Sequence, residues 1–479
     1  MTEIILTKSD FLDYQHCAKS LWLKKHKPNA VSWPAPNLFD RMLMQDGYRV
    51  EAIVKELIAD WPDVEACAFQ SVFQSSDGLY ARADLVRTHA DGEIDLFEIK
   101  ASTSLRSSTG SDHVDDATFQ TLVSERAGHQ VRAIHVIHVN KDYVRSGKVN
   151  PTELLTIVDV TEDVRTRLAN IEDHVDAALE WISQDTIDEN GCSCLLIGNR
   201  ANQCASFDYF NPDVPDRSVY LLPRISKQKL QTFVDERRLD LADINTSEVS
   251  KLQAPVLIAA QSGRPVINKD RIQEFLDSLQ WPLYFYDYET FASAIPIADG
   301  LKPQQQMPVQ YSLHRLSKDG ELTHSEFLSD RPGMQHDLVE NLSCDIGPIG
   351  NLISWNKKFE MTCNKAMAEL LPEHSAFLTD LNERTADLMD VFKEDYVDIA
   401  FKGSTSIKKV LPVVCPHLHY SEDAVHDGAG AMAAWLEMIE KIDRAEKDRL
   451  GAELRSYCEL DTLAMVEIYR FLRDVIAGQ

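Results

Sequence analysis

Two acids two positions apart, Asp287 and Glu289, close the aromatic stretch LYFYDYET at residues 283–290. Side chains at i and i+2 of a strand leave on the same face, so the two carboxylates emerge side by side and repel each other. A hard divalent cation such as Mg2+ or Mn2+ relieves that repulsion, and hydrolytic sites often hold two such ions about 4 Å apart on shared carboxylates. A strand end whose acids simply face water is the competing reading of so short a motif. Further along, Tyr457 and Asp461 in YCELD stand at i and i+4, on one face of a helix. In the N-terminal half, FEIKAST puts Glu98 and Lys100 on one face of a strand and Ile99 on the other, downstream of Asp84. Alternating charged strands are common without any chemistry, so this second pattern also needs its surroundings.

Those groups need elements to aim them. VFQSSDGLYARADLVRTHADGEIDLFEIKAST reads as strands with turns at Ser76-Asp77-Gly78 and Asp91-Gly92. Residues 9–60, 114–127 and 160–185 read as helices, with a strand RAIHVIHVN between the last two. From about residue 189, NGCSCLLIGNRANQCASFDYFNPDVPDRS is a loop module, followed by a polar helical stretch over 225–247 and an extended connection through SGRPVINKD. VQYSLHRLSKDGELTHSEFL alternates with period two around a Lys-Asp-Gly turn, the signal of a hairpin. LISW is a short buried strand, NKKFEMTCNKAMAELL a helix, and the C-terminus a long amphipathic helix. In FKGSTSIKKVLP, Ser404 or Thr405 is expected to cap a short helix ending at Pro412, with a phosphate contact from Lys408 or Lys409 as the rarer use. Interleaved helices and strands predict an α/β (α+β) protein. The expected domains are 1–205, a helical connector 206–279, and 280–479.

The 479 residues exceed what one core usually supports. An apolar fraction of 44% and a charged fraction of 26% are those of ordinary globular chains. No apolar run reaches membrane-spanning length and the opening residues lack a signal-peptide pattern, so a cytoplasmic location without a membrane partner is expected. The net charge of −27 argues against a broad basic footprint for nucleic acid, although short stretches such as KSLWLKKHKP leave room for a local one. Nine cysteines point to thiols or metal ligands over a disulfide framework.

After residue 280, the order strand, hairpin, strand, helix, terminal helix is that of an RNase H-like fold. Asp287, Glu289, Glu360 in WNKKFE, and YCELD resemble the motifs of DEDD-type 3′-to-5′ exonucleases of the YxxxD (DEDDy) subclass. The resemblance implies two metals held by Asp287, Glu289 and Asp461, and a water oriented by Tyr457. Glu360 stands where that family has Asp; its extra methylene moves the carboxylate by up to ~1.5 Å. Asp387 or Asp390 in ADLMDV is the alternative third acid.

The N-terminal half resembles a PD-(D/E)xK nuclease, in which Asp84 and Glu98 would hold the metal and Lys100 would position or activate water. Gln120 in DDATFQTLV resembles the glutamine helix of RecB-like nucleases, and Glu51 sits where such families often carry a helix acid. Cys17 upstream with Cys192, Cys194 and Cys204 downstream resembles the iron-sulfur RecB-like arrangement, implying a 4Fe-4S cluster on four thiolates. The Cys-x-Cys pair is tighter than usual there, which keeps Zn2+ as the alternative. Cys67, Cys344, Cys363, Cys415 and Cys458 are expected to pack as small apolar residues. Over nearly its whole length the chain resembles the bacterial domain-of-unknown-function 2779 family. The expected activity is that of a metal-dependent nuclease, with DNA ahead of RNA, acting in repair or defence. Its rival is a nucleic-acid-binding or assembly protein with one or both sites vestigial.

Overall fold

The computed structural model describes residues 5–105, 112–420, 425 and 427–478. Its chain divides into two compact units. The first comprises the chain up to Pro36, Asp40–Asp213 and Ser293–Gln305; the second comprises Asn37–Phe39, Val214–Ala292 and the chain from Gln306 onward. Residues 214–279 therefore cluster with the second unit, and Ser293–Gln305 with the first. Mixed helices and strands make up both, as the interleaved patterns predict.

In the first unit, six strands form one sheet: β1 (Leu6–Thr7), β2 (Cys67–Gln74), β3 (Leu79–Thr88), β4 (Ile94–Lys100), β5 (Val131–Val139) and β6 (Leu155–Asp159). The order is β1-β3-β4-β5-β6, with β2 also paired to β3. The β2–β3 and β3–β4 pairs are antiparallel and turn at the expected places, where Gly78 and Gly92 take positive φ. β4 and β5 run parallel, and helix His113–Arg126 makes the crossover that parallel neighbours require. That helix and Thr161–Ser183 cover the sheet, burying Phe119, Val164 and Val175 with Phe11, Ile134 and Val136.

The helical reading of 9–60 resolves into Lys8–His26 and Leu38–Ile58, separated by the proline-bearing segment 27–37, whose prolines supply no backbone N–H. Thr7 and Asp10 close a capping box at the start of the first helix. The same helix is broken once, at Cys17, whose φ of −158° and ψ of 99° are those of an extended residue.

The second unit holds β7 (Val266–Ile267), β8 (Leu283–Phe291), β9 (Met307–Leu316), β10 (Leu322–Leu328), β11 (Asn351–Ser354), β12 (Thr385–Asp387) and β13 (Tyr396–Val397). Five of these form a sheet in the order β10-β9-β8-β11-β12, while β7 pairs with β13. β10, β9 and β8 are antiparallel; β8, β11 and β12 are parallel. The hairpin turns where expected, Gly320 at φ 96° and the Ser317 amide on the Glu321 carbonyl. Helix Arg444–Ala477 lies on β8 and β9, and its Leu454 carbonyl accepts from Gln310 Nε2 at 3.0 Å.

Two local expectations are corrected. Of residues 225–247 only Lys227–Asp235 is α-helical: Arg237 turns left-handed at φ 55°, and the side chains of Asp240 and Asn245 start separate short 3-10 turns. In FKGSTSIKKVLP the helix is Ile407–Val414, entered from Ser406 and running through Pro412. Burial of Val410, Leu411 and Val414 on one face outweighs the hydrogen bond that the proline removes. Among the described residues no helix is long and apolar enough to cross a membrane.

Candidate functional site

In the first unit β3 and β4 bring Asp84 and Glu98 together, and helix His113–Arg126 supplies Gln120. Glu98 is fully buried. One of its oxygens accepts from Lys8 Nζ at 2.9 Å and Lys100 Nζ at 2.6 Å, and the other accepts from Gln120 Nε2. Asp116 completes the charge balance by pairing with Lys100. Burial pushes the Glu98 carboxyl up, but the two ammonium groups outweigh it and hold the group at about 2. Asp84 goes the other way, pushed up to about 7 by burial and then by repulsion from Glu98, against an Ile99 N–H donating to it at 2.9 Å. Asp84, Gln120 and Lys8 line one cavity of about 280 Å³. Glu51 is not among its walls: it pairs with Lys55 at 2.7 Å and accepts from Gln70 at 2.6 Å.

The same unit gathers Cys17, Cys192, Cys194 and Cys204, all buried, with their four sulfurs within 4.8 Å of one another. The extended conformation at Cys17 is what breaks the helix at the residue whose thiol joins the other three. Asn211 Nδ2 donates to Cys192 Sγ at 3.3 Å, and Ser206 Oγ lies 3.5 Å from Cys204 Sγ. Four converging thiols with polar neighbours fit a soft, thiolate-bound metal. Of the other five cysteines, Cys363, Cys415 and Cys458 are buried as expected, but Cys344 is exposed and Cys67 only half-buried. Cys458 also lies against the acids of the second unit, within 4.8 Å of a carboxylate oxygen of Asp287 and of Glu289, so it is more than filler.

The second unit's site is built from three elements. β8 carries Asp287 and Glu289, helix Lys358–Leu370 carries Glu360 in its first turn, and helix Arg444–Ala477 carries Tyr457 and Asp461. All five line one cavity of about 620 Å³. Burial, then repulsion among the acids, pushes Asp287 and Glu289 well above the usual carboxylate range. Glu360, only 1% exposed, is pushed up to about 8 by burial, and one of its oxygens has no hydrogen-bond partner. Asp461 is raised to about 6, burial outweighing the Tyr420 hydroxyl that donates to it and the positive charge of Lys408. A buried carboxylate oxygen without a partner, in a cavity lined by four further acids, Asp427 among them, fits a hard divalent cation.

Residues 284–406 match the DUF2779 family, a domain of unknown function. The matched segment includes Asp287, Glu289 and Glu360 and ends before Lys408, Tyr457 and Asp461. The chain is also 27% identical over 219 residues to an uncharacterized MG366 homolog of Mycoplasma pneumoniae, and 26% identical over 217 residues to uncharacterized protein MG366 of Mycoplasma genitalium. These alignments cover 41% and 40% of this chain, which spans about a third of each relative's length, 32%. Among solved structures, the crystal structure of SSO0001 aligns over 37% of this chain and 78% of its own, at 12% identity and a TM-score of 0.22.

Within the DUF2779 segment the alternative third acids are occupied elsewhere. Asp387 accepts backbone N–H groups from Asn356, Lys357 and Met389, fixing the turn that launches the Glu360 helix, and Asp390 pairs with Lys393 at 2.6 Å. Glu360 is the acid that reaches the cavity. The FKGSTS loop at the segment's end is held by the Trp355 indole on the Thr405 carbonyl at 2.9 Å. Gly403 is required there, because a Cβ would stand 2.3 Å from the Leu221 carbonyl oxygen and φ is 72°. The loop delivers Lys408, whose Nζ donates to Tyr457 Oη at 3.0 Å. Sequence reasoning did not place Lys8, Asp116 or Tyr420. Lys8 and Asp116 stand in segments singled out for other residues, and nothing in spacing alone marks Tyr420.

Proposed function

We propose that the second unit is a metal-dependent phosphodiester hydrolase of the RNase H-like, DEDDy kind, acting on nucleic acid with DNA ahead of RNA. The observation that carries this reading is the convergence of Asp287, Glu289, Glu360 and Asp461 from three elements on one cavity, with Lys408 the single cation lining it among the described residues. A strand order of three antiparallel strands followed by two parallel ones supports the fold named. Bound Mg2+ or Mn2+ would supply the activated water and stabilise the leaving oxygen. Asp287, Glu289 and Asp461 would hold it, with Glu360 as the fourth acid. Tyr457 keeps its proton at neutral pH, because burial and the neighbouring carboxylates raise its hydroxyl. With Lys408 donating to its oxygen, that O–H faces Asp461, whose carboxyl it helps lower, and would orient a water held beside that acid.

The first unit, on the same proposal, is a RecB-like PD-(D/E)xK module. Asp84 and Glu98 would take the metal, Lys100 would position water, and Gln120 would fix the Glu98 carboxylate. Its four thiolates would hold a 4Fe-4S cluster or Zn2+. One observation favours a second reading for this unit alone: Lys8 and Lys100 already neutralise Glu98, as in a vestigial site that only binds.

The test is cleavage of end-labelled single- and double-stranded DNA and RNA with Mg2+ or Mn2+, in the wild type and in Asp287→Asn and Lys100→Ala chains. Two activities, each lost in one variant, are expected. No cleavage of any substrate in either metal would move the binding protein ahead.

A further inference from the structure

On the hairpin of the second unit, His314 of β9 stands directly across from His324 of β10. Their rings are 4.5 Å apart, tilted by 31°. Glu459, on helix Arg444–Ala477, brings a carboxylate oxygen to 3.8 Å from His324 Nδ1. A ring nitrogen from each histidine and a Glu459 oxygen all lie within 4.8 Å of one another. None of the three lines the acidic cavity.

The hydrogen bonds around the rings leave lone pairs for a metal. His314 Nδ1 is 2.8 Å from Thr462 Oγ1, His324 Nε2 is 2.9 Å from Ser312 Oγ, and the two hydroxyls are 2.8 Å apart. Thr462 Oγ1 in turn donates to the Glu459 carbonyl at 3.0 Å. One proton arrangement satisfies every link: His324 Nε2–H to Ser312, Ser312 O–H to Thr462, His314 Nδ1–H to Thr462, Thr462 O–H to the carbonyl. It leaves His314 Nε2 and His324 Nδ1 without protons. A metal-ligating histidine usually donates its other ring N–H to a carboxylate, backbone carbonyl or water; here the hydroxyls of Ser312 and Thr462 take that place.

We propose that His314, His324 and Glu459 form a binding site for one Zn2+-class cation, two imidazole nitrogens and a carboxylate with a water as fourth ligand. Glu459 and half-buried His324 give solvent access, while buried His314 forms the floor. The ion pins the β9–β10 hairpin to the helix that carries Asp461, two residues beyond Glu459. Its place is structural, holding that helix against the sheet.

The test uses the full chain carrying Asp287→Asn, with the four-cysteine centre left as purified. Zn2+ is added, excess is removed by gel filtration, and metal per chain is counted by mass spectrometry. One equivalent more is expected than in the same chain with His324→Ala, together with a rise in Tm on adding Zn2+ that the His324→Ala chain lacks. Thr462→Val, which removes an outer support, is expected to weaken Zn2+ binding by about 10- to 100-fold. Should His324→Ala fail to fold, Glu459→Gln on the exposed helix face must show the same lost equivalent. Equal zinc counts and equal Tm shifts with and without these side chains, or no zinc beyond that of the cysteine centre, overturns the assignment.

Discussion

The two acidic clusters face opposite electrostatic problems. In the first unit Glu98 is buried but carries its own counter-charges, Lys8 and Lys100, and its carboxyl sits at about 2. In the second unit five acids line one cavity with a single ammonium, and the carboxyls of Asp287, Glu289, Glu360 and Asp461 are raised. A buried charge that is paired is stable as it stands, while buried like charges require a cation from outside or a proton. In the first cluster Glu98 is balanced as it stands and only Asp84 beside it is raised, to about 7, whereas the second cluster has no comparable counter-charge.

Asp287→Asn should break the contrast most sharply. Cleavage dependent on the second unit should fall to background, while the metal-free protein should melt higher than wild type, because one of the mutually repelling acids is gone; calorimetry and a cleavage assay read the two effects together. A removed acid that lowered the metal-free Tm would mean that the cluster is not repulsive.

Tyr457→Phe keeps the ring and drops the hydroxyl. A loss of about 10²- to 10⁴-fold in rate is expected from a lost positioning or proton-transfer group, with Tm nearly unchanged. Steady-state rates in a Lys100→Ala background check it, and an unchanged rate would reduce Tyr457 to packing.

The matching change in the first unit should act on stability instead. Glu98→Gln preserves shape but leaves Lys8 and Lys100 with Asp116 and the more distant charge of Asp84, and removing one partner of a buried ion pair costs about 3 to 5 kcal/mol. Denaturant unfolding of wild type and variant measures it. A mild Glu98→Gln beside a costly Asp287→Asn would invert the comparison.

The smallest effect is the pH profile. Glu360, at about 8 against an ordinary 4.5, and Asp461, at about 6 against 3.8, bind protons more tightly folded than unfolded. Their contribution is fully present below the ordinary values and is lost as pH rises through 6 and 8. Glu98 has the reverse sign, stabilising above 4.5 and losing that contribution as pH falls through 2. In Mg2+-free buffer Tm should therefore decline from about pH 5 to pH 8, Glu360→Gln should flatten the decline, and added Mg2+ should reverse it. A flat wild-type profile would show that the acids ionise freely.

Much of this was legible in the sequence because the relevant patterns are local. The DxE pair, the ExK strand, the i,i+4 spacing of Tyr457 and Asp461 and the Lys-Asp-Gly hairpin each fix a face or a turn within a few residues. What escaped was decided by distant partners. Lys8 reaches Glu98 across 90 residues, and Tyr420 reaches Asp461 across 41. Asp387 looked like a spare acid, yet its carboxylate is consumed by three backbone N–H groups, a local capture that composition cannot show. Pro412 marked a helix end that the buried face of the same helix overrode.

The break at Cys17 has a mechanical side. From Lys8 to Cys17 the first helix is a stiff rod of about 13 Å, with an ammonium at one end and a thiol at the other. The ammonium end rests on a buried carboxylate; the thiol end is moored among three more sulfurs. The ammonium end does not hang on that mooring alone: Leu6 and Thr7 pair with Leu79 and Tyr80 in the sheet, Phe11 stacks on Phe119 and Lys25 pairs with Asp10, so each end of the rod is tied down by its own contacts.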